Sequence, residues 1–297
     1  MNAALNNTIP VVSVLMTAYN REYFIREGIE SVLNSNFENF ELIIIDDGSK
    51  DSTLEIAKEI AQNDSRIRVY QNQYNLGDYP NRNKAASYAR GKFMMYVDSD
   101  DTIFPDAIAT CMNAMLANQD ADMLMIYKNI DHKDPFMIGK QDSQRSHFFE
   151  KPLLMIGPGG TFLKRDFFNS IGGYPEKYGP ANDMYFNLKA AANGNLLFLP
   201  YEFVNYRRHK GQEINNQYSY LINNYCYLRD AIEELPLSLS QKERDFISKK
   251  NKRRFLVNIT RFFFRTWNFS KTRNAIQKAS FGWKDAWNGL FQKKYLS

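Results

Sequence analysis

The chain has 297 residues, 44% of them hydrophobic and 24% charged, a composition ordinary for a soluble globular protein and a length ample for a buried core. The net charge of +5 is uneven, since residues 241–297 contain 15 Lys/Arg and 3 Asp/Glu (net +12) and residues 1–240 carry a net −7. No run approaches the roughly 18 apolar residues of a transmembrane helix, residues 1–10 lack the pattern of a signal peptide, and two cysteines make no disulfide framework, so we expect a cytoplasmic location.

Strands and helices alternate through the first hundred residues. Short apolar runs predict four strands, at residues 11–16, 41–45, 67–70 and 93–97. Apolar residues at helical spacing predict a helix over residues 25–33. Ser52 and Glu55 form a capping-box pattern that predicts a second helix to about Gln62, and a third is predicted from Asn81 to Arg90. This alternation predicts an α/β fold with a doubly wound, mainly parallel sheet.

The pattern is looser after Pro105. We predict a helix ending at Ala117, a strand over residues 122–130, an irregular loop over 131–151 and a helix over 185–192. From Asn215 onward the sequence predicts helix throughout. We therefore predict a first domain over residues 1–214, with two halves at 1–104 and 105–214, followed by a basic, aromatic helical extension over 215–297.

Polar residues follow the predicted strands at the edge where doubly wound sheets bind ligands. The sharpest signal is Asp98-Ser99-Asp100-Asp101, because carboxylates two residues apart on an extended segment point to the same side. Such carboxylates repel one another unless a cation lies between them, and Mg²⁺ or Mn²⁺ carrying a diphosphate is the natural candidate. The alternative is that these residues merely cap the helix that opens near Pro105.

The flanking motifs resemble those of the inverting glycosyltransferases of family 2, which have the GT-A fold. The resemblance covers residues 10–211 and lies in VSVLMTAYN (12–20), FELIIIDDGSKDST (40–53), NLGDYPNRNKAASYARGKFMMYVDSDD (75–101), GGTFLKRDFFNSIGGY (159–174) and GPANDMYFNLKAAANG (179–194). It implies metal-assisted transfer of a sugar from a nucleotide-sugar, with UDP the expected nucleotide and Mn²⁺ or Mg²⁺ the cofactor, to a hydroxyl of a glycan or lipid-linked glycan.

The resemblance implies that residues 1–214 are the catalytic domain, with 1–104 as its donor half and 105–214 as its acceptor half. It also implies roles for donor-side residues. Thr17 and Tyr19 would line the base pocket, with Tyr19 stacking on the ring, and Asp47 would accept from the base N–H; helix capping is the alternative for Asp47. The other residues implied to bind the donor are Asn75, Gly77, Arg82, Asp98 and Arg207. Lys84-Ala85 and Asp78-Tyr79-Pro80 depart from the family pattern and leave the donor's identity open.

Asp100 would be the principal metal ligand, with Asp98 contacting the metal or the ribose. His209 would contribute to the metal or the diphosphate, although a lone histidine is often structural. Asp183 would be the catalytic base, at a helix N-terminus that keeps it ionised, and a simple helix cap is its alternative. Its neighbour Asn182 stands where the family has an acid. Asn182 and Gly160 would lie on the acceptor side, a tight structural turn being the alternative for the glycine.

The basic, aromatic C-terminal extension admits three interpretations. The favoured one is an amphipathic helix on an anionic membrane, which would make the protein peripheral at the inner face. Packing against the body or a second subunit comes next, and nucleic-acid binding is least supported because the body is acidic. For the chain as a whole, a nucleotidyltransferase or a catalytically degenerate glycan-binding scaffold are the rival functions. A nucleotidyltransferase would have a glycine-rich loop after the first strand, which this chain lacks. The presence of Asp98, Asp100 and Asp183 together argues against a scaffold.

Overall fold

The computed structural model describes residues 9–127, 133–209, 212 and 216–290. The chain divides into two compact units, each assembled from discontinuous segments. Unit 1 takes residues 1–138, 156–174 and 194–207, and unit 2 takes residues 139–155, 175–193 and 208–297. The division at residues 214/215 made from the sequence stays a prediction.

The strands of the described residues all belong to unit 1. They are β1 Val12–Ala18, β2 Phe40–Asp46, β3 Ile67–Gln71, β4 Phe93–Tyr96, β5 Thr102–Ile103, β6 Met123–Ile126, β7 Phe136–Ile138, β8 Thr161–Lys164, β9 Leu196–Leu199 and β10 Val204–Asn205. Eight of these described strands form one sheet in the order β3-β2-β1-β4-β8-β6-β9-β7, and β5 pairs with β10. Strands β7 and β8 run antiparallel to their neighbours, so the sheet is mainly parallel, as predicted.

The helices of the described residues are divided between the two units. In chain order they are α1 Ile25–Leu33, α2 Thr53–Ala61, α3 Asp78–Ser87, α4 Ala107–Ala117, α5 Lys140–Phe149, α6 Arg165–Ser170, α7 Asn182–Asn193, α8 Gln217–Glu234, α9 Gln241–Thr266, α10 Phe269–Lys278 and α11 Trp283–Leu290. Helices α1, α2, α3, α4 and α6 belong to unit 1 and the others to unit 2. Every residue of β2 is buried, as expected for a parallel strand covered on both faces.

The prediction of an irregular loop over residues 131–151 was wrong for the described part of that range. Residues 136–138 form β7 and residues 140–149 form α5, while 131 and 132 lie outside the described residues, as do 128–130 of the predicted strand. Helix α5 escaped detection because its buried side chains are the polar Ser143 and Gln144. The Gln144 amide donates to the Ala191 carbonyl at 2.8 Å, so this helix packs through hydrogen bonds that an apolar periodicity does not register.

The predicted capping box at Ser52 was also wrong. The Ser52 side chain makes no cap hydrogen bond to α2, and Asp51 instead accepts from the Thr53 N–H at 3.1 Å. Helix α3 begins three residues before the predicted Asn81, with Pro80 in its first turn, where a missing N–H costs nothing.

Unit 2 is helical from residue 217 to the end of the described range, as predicted. Its apolar centre includes Tyr225, Phe255 and Phe281, whose ring centroids lie 4.7 to 5.4 Å apart. Within the described residues, no helix combines the length and apolar character needed to cross a bilayer.

Candidate functional site

The candidate site lies at the carboxyl edge of the sheet of unit 1, where three parallel strands end side by side. Ala18 is the register partner of Asp46, and the Asp47 N–H donates to the Ala18 carbonyl at 2.8 Å. The Ser99 hydroxyl donates to the Thr17 carbonyl at 2.8 Å, which joins the segment after β4 to the end of β1. The polar residues that follow β1, β2 and β4 are thus gathered at one edge.

Asp47 is buried and anchors the loop that follows β3. Its Oδ1 accepts from the Leu76 N–H at 2.9 Å and its Oδ2 from the Gly77 N–H at 2.9 Å. The Asn75 amide donates to the Asp47 carbonyl at 3.2 Å. Asp47, itself a predicted donor-side residue, therefore fixes the positions of two others, Asn75 and Gly77. Gly77 adopts a φ of 91°, which favours glycine at this turn.

A second layer of buried amides holds Asp47. The Asn72 amide donates to Asp47 Oδ1 at 2.6 Å and to the Asn81 side chain at 2.9 Å. Lys84 Nζ donates to the Asn72 side-chain oxygen at 2.6 Å. Lys84, one of the departures from the family pattern, thus supports the loop through Asn72.

Arg82 joins α3 to the end of β4. Its Nε donates to Asp78 Oδ1 at 2.8 Å and its Nη2 lies 2.7 Å from Asp98 Oδ1. Burial alone would lower the pKa of Arg82, but the charges of Asp78 and Asp98 more than offset it and the pKa lies above its usual value. Burial raises the pKa of Asp98, as do Asp78 and Asp100, and the pairing with Arg82 offsets part of that rise. The guanidinium group of Arg82 therefore stabilises the ionised form of Asp98, which burial and the neighbouring carboxylates disfavour.

Asp100 and Asp101 are both buried and face arginines from other parts of unit 1. Arg21 Nε donates to Asp100 Oδ2 at 3.1 Å. The Arg207 N–H donates to Asp101 Oδ1 at 2.9 Å, while its guanidinium donates to the carbonyls of Asp100 and Phe24 and pairs with Glu27. Arg207 lies against α1, and its role as a donor contact stays a prediction.

Three neighbouring carboxylates crowd one strand end. Burial raises the pKa of Asp101 to about 7, the Arg207 N–H works against that rise, and the charges of Asp98 and Asp100 add to it. Such mutual repulsion is the condition under which a bound cation lowers the energy of a site.

Two glycines border the same edge. A Cβ at Gly159 would lie 3.8 Å from Asp98 Oδ2 and 3.9 Å from the Tyr206 hydroxyl, so the backbone there approaches the site closely. A Cβ at Gly160 would lie 2.6 Å from Ile156 Cγ2 and 2.8 Å from Ile126 Cγ1. A side chain at position 160 would therefore force the side chains of Ile126 and Ile156 to move, and the acceptor-side role of Gly160 stays a prediction.

Three predicted residues belong to unit 2. Asp183 lies half-buried in the first turn of α7, with Oδ1 accepting from the Met184 N–H at 2.7 Å. Asn182 is buried, accepts from the Tyr178 N–H at 2.9 Å and donates to the Gly179 carbonyl at 2.8 Å, so its side chain closes the turn that leads into α7. His209 is half-buried, and its backbone N–H donates to Gln212 at 3.2 Å. The roles of these residues stay predictions.

The carboxylate oxygens at the strand ends are suitable ligands for a hard divalent cation, which prefers oxygen ligands. The described part of the chain contains no group of three His, Cys, Asp or Glu residues placed to hold a metal. A Mg²⁺-type ion is commonly held by one or two carboxylates together with substrate phosphates. The roles of Asp98 and Asp100 as metal ligands stay predictions.

Two residues at this edge, Arg21 and Tyr206, were not predicted from the sequence. Arg21 follows the first strand directly, in the segment Tyr19-Asn20-Arg21, and that position was a usable signal. Tyr206 had no comparable signal. Burial raises its pKa, with Asp98 and Asp101 the next causes, which places the tyrosine in the field of the carboxylates.

The chain matches the family model described as Glycosyl transferase family 2 over residues 13–172. It is 29% identical over 227 residues to the UDP-Glc:alpha-D-GlcNAc-diphosphoundecaprenol beta-1,3-glucosyltransferase WfgD of Escherichia coli, an alignment that covers 75% of this chain and 87% of that one. Of three other curated relatives, two from Haemophilus influenzae and one from Bacillus subtilis, the chain spans less than half of the length.

Solved structures resemble the whole fold. The structure of S. aureus TarS 1–349 in complex with UDP-GlcNAc superposes with a TM-score of 0.70 and 23% identity, covering 90% of this chain and 79% of that one. The mannosyltransferase PcManGT from Pyrobaculum calidifontis, in complex with GDP-Man and Mn²⁺, gives a TM-score of 0.62 and 14% identity, covering 97% of this chain and 89% of that one. At these identities the likeness shows the fold alone, and it confirms the predicted GT-A-type α/β fold with helices at its C-terminal end.

Proposed function

The chain belongs to glycosyl transferase family 2, and we propose that it transfers a sugar, with inversion, from a UDP-sugar to a hydroxyl of a glycan or lipid-linked glycan. One observation carries the proposal. The segments after three parallel strands meet at one edge of the sheet, where Asp98 and Asp100 lie among the guanidinium groups of Arg21 and Arg82. Such an edge suits a diphosphate, because arginines bind phosphate oxygens and carboxylates hold the cation that accompanies them.

The base pocket would be formed by Thr17, Tyr19 and Asp47. Tyr19 is 42% exposed, and its aromatic ring would stack on the base. Asp47 Oδ1 already accepts from the Leu76 N–H and the Asn72 amide, so a base N–H would be added at Oδ2, which accepts from the Gly77 N–H. The UDP-GlcNAc bound by TarS and the UDP-Glc in the name of WfgD support uracil as the base.

Asp98 and Asp100 would hold a Mn²⁺ or Mg²⁺ ion together with the phosphates of the donor. His209, which the resemblance assigns to the metal or the diphosphate, would act at the diphosphate. The ion would neutralise the departing nucleoside diphosphate as a Lewis acid. Arg82 and Arg207 would contact the diphosphate from the protein side. The presence of Mn²⁺ in the PcManGT complex supports a divalent cation in this fold.

Asp183 would act as the base that removes the proton from the acceptor hydroxyl as its oxygen attacks the anomeric carbon. The position of Asp183 in the first turn of α7 supports this role, since the positive end of the helix dipole favours the ionised carboxylate. A single in-line displacement of this kind inverts the anomeric configuration. Asn182 and Gly160 would shape the acceptor side of the reaction centre.

The acceptor class rests on relatives. The name of WfgD specifies a diphosphoundecaprenol-linked acceptor, and a Campylobacter jejuni relative is likewise named for an undecaprenol-linked one. A lipid-linked acceptor would bring this protein to a cytoplasmic membrane face as a peripheral protein.

The first test measures thermal unfolding with UDP, GDP or dTDP, with and without Mn²⁺. We expect UDP with Mn²⁺ to raise the melting temperature of the wild type and of the matched control Asp120→Ala, whose aspartate is exposed. We expect Asp100→Ala to lose that rise. If no nucleotide shifts the melting temperature in any condition, the donor assignment is refuted and a non-catalytic scaffold is favoured.

The second test separates the base from the donor site. Asp183→Asn should keep the UDP-induced rise in melting temperature but lose sugar transfer by roughly 10²-fold or more, the usual contribution of a general base. Full transfer by this variant would remove Asp183 from the mechanism and leave the donor proposal standing.

A further inference from the structure

The end of α9 and the start of α10 carry exposed aromatic side chains beside arginines. We call Arg261, Phe264, Arg265, Trp267 and Phe269 the aromatic–arginine surface. Phe264 is 59% exposed, Trp267 71% and Phe269 72%. Isolated apolar side chains are normal on a protein surface, but a group of large aromatic rings this exposed marks a surface that meets a partner.

The backbone at the end of α9 presents these rings. Trp267 ends the helix in the left-handed conformation, with φ 48°, and its N–H donates to the Phe263 carbonyl at 2.7 Å. The Trp267 ring lies 5.7 Å from that of Phe264 and 5.5 Å from that of Phe263. Phe263, Phe264 and Trp267 therefore form one aromatic cluster, and the exposed Phe269 follows it two residues later at the start of α10.

Arg261 and Arg265 lie one turn apart on the same face of α9. Both line a groove of about 590 Å³ between α8 and α9, together with the amide side chains of Asn224 and Asn258. Guanidinium and amide N–H groups are the donors that bind phosphate oxygens. The groove thus offers phosphate donors next to the exposed aromatic cluster.

We propose that the aromatic–arginine surface docks on a bilayer containing anionic phospholipids. Aromatic rings would insert at the boundary between headgroups and acyl chains, while Arg261 and Arg265 bind headgroup phosphates. Charge complementarity selects this partner, since residues 241–297 carry a net charge of +12. The inference adds to the peripheral location in the proposed function the residues that would meet the lipid, and its vesicle test does not depend on the donor or the acceptor.

The test is sedimentation of the full-length protein with phosphatidylcholine vesicles and with mixed phosphatidylcholine–phosphatidylglycerol vesicles. We expect the wild type to bind the mixed vesicles and to be released by high salt. Arg261→Gln with Arg265→Gln should weaken binding roughly tenfold or more. The matched control, Lys249→Gln with Lys250→Gln, removes the same charge from exposed positions earlier in α9 and should retain most of the binding.

The apolar half is tested with Phe264→Gln and Trp267→Asn, since asparagine tolerates the left-handed conformation. This variant should bind mixed vesicles less and lose the vesicle-induced blue shift of tryptophan fluorescence. Leu116→Gln, at an exposed leucine of unit 1, should change neither measurement.

The proposal is overturned if the wild type binds neither vesicle type, if the aromatic variant changes the oligomeric state and not vesicle binding, or if arginine and lysine variants bind equally. Circular dichroism melts show that each variant is folded.

Discussion

Asp47 shows how one side chain can have both a structural and a functional role. Its carboxylate accepts N–H groups of Leu76 and Gly77 and an amide of Asn72, and all of these lie close to the expected base pocket. Burying an ionised carboxylate is unfavourable unless donors surround it, and here the loop itself supplies them. The loop and the carboxylate are therefore stable as a unit.

We predict that Asp47→Asn destabilises the protein by about 1–3 kcal/mol, because one oxygen that accepts a backbone N–H becomes an NH₂ group that cannot. Denaturant unfolding measures this change, and titration with UDP should show weaker binding. Asp120→Asn, at an exposed aspartate, is the control and should leave both quantities unchanged. An Asp47→Asn protein as stable as the wild type would contradict the anchoring role.

His147 gives a pH-dependent prediction within unit 2. Burial lowers its pKa from 6.5 to about 4, the charge of Lys250 adds to this, and its Nδ1 accepts from the Leu154 N–H at 3.1 Å. Between the two pKa values the unfolded chain binds the proton and the folded chain does not. The free energy of unfolding should therefore fall as the pH is lowered through 6.5 towards 4.

In His147→Asn the side-chain oxygen can still accept from Leu154, but the titrating group is gone. We expect the decline in melting temperature between about pH 6.5 and pH 5 to be smaller in this variant than in the wild type. Most carboxyl groups titrate below this range, and Asp101, whose pKa is raised to about 7, is present in both proteins and therefore cancels in the comparison. Equal declines in the two proteins would show that His147 is not the group responsible.

At the level of elements, the pattern Ser-x-x-Glu occurs at two helix starts with different outcomes. At Ser52 the side chain makes no cap bond. At Ser240 the hydroxyl accepts from the Glu243 N–H, and the Glu243 carboxylate accepts from the Ser240 N–H at 2.8 Å. Glu243 is buried, and its Oε1 lies 2.7 Å from Nη1 of Arg145 in α5. This ion pair fixes the glutamate in its capping position.

We predict that Ser240→Ala lowers the free energy of unfolding by about 0.5–2 kcal/mol, the usual cost of losing an N-cap. Ser52→Ala is the matched control, and its effect should be within a few tenths of a kcal/mol. Denaturant unfolding of both variants checks the prediction. Equal effects would mean that the capping bonds at Ser240 contribute nothing.

At the level of the molecule, unit 2 is assembled from segments far apart in sequence. The Tyr178 hydroxyl donates to Asp230 at 2.8 Å, the Tyr185 hydroxyl donates to Glu234 at 2.7 Å, and the rings of these two tyrosines stack. Residues before 214 thus provide hydrogen-bond partners for the acidic side chains near the end of α8.

We predict that a fragment of residues 215–297 does not unfold cooperatively by itself, because it lacks α5, α7 and the tyrosines that cover α8. Thermal melts followed by circular dichroism check this against the full chain. A sharp melt of the isolated fragment would support the boundary at 214/215 as that of an independent domain.

Local periodicity and strand-end position, both properties of nearby residues, were enough to predict most of unit 1. The apolar run at residues 42–45 of β2 predicted a doubly covered parallel strand, and Asp98-Ser99-Asp100 predicted carboxylates gathered at the carboxyl edge of the sheet. Apolar periodicity did not predict helix α5, because the buried face of α5 is polar, and it did not place the start of α3.

By itself, the sequence determined the fold class, the helical C-terminal region and the polar strand ends, because hydrophobic burial imposes the period of each element on its sequence. Tertiary structure alone decided which charges meet. Arg21 pairs with Asp100 across 79 residues, and the Arg207 N–H reaches Asp101 across 106. Such partners are set by how the strands and loops are placed in space, and hydrogen bonds between distant residues leave no period in the chain.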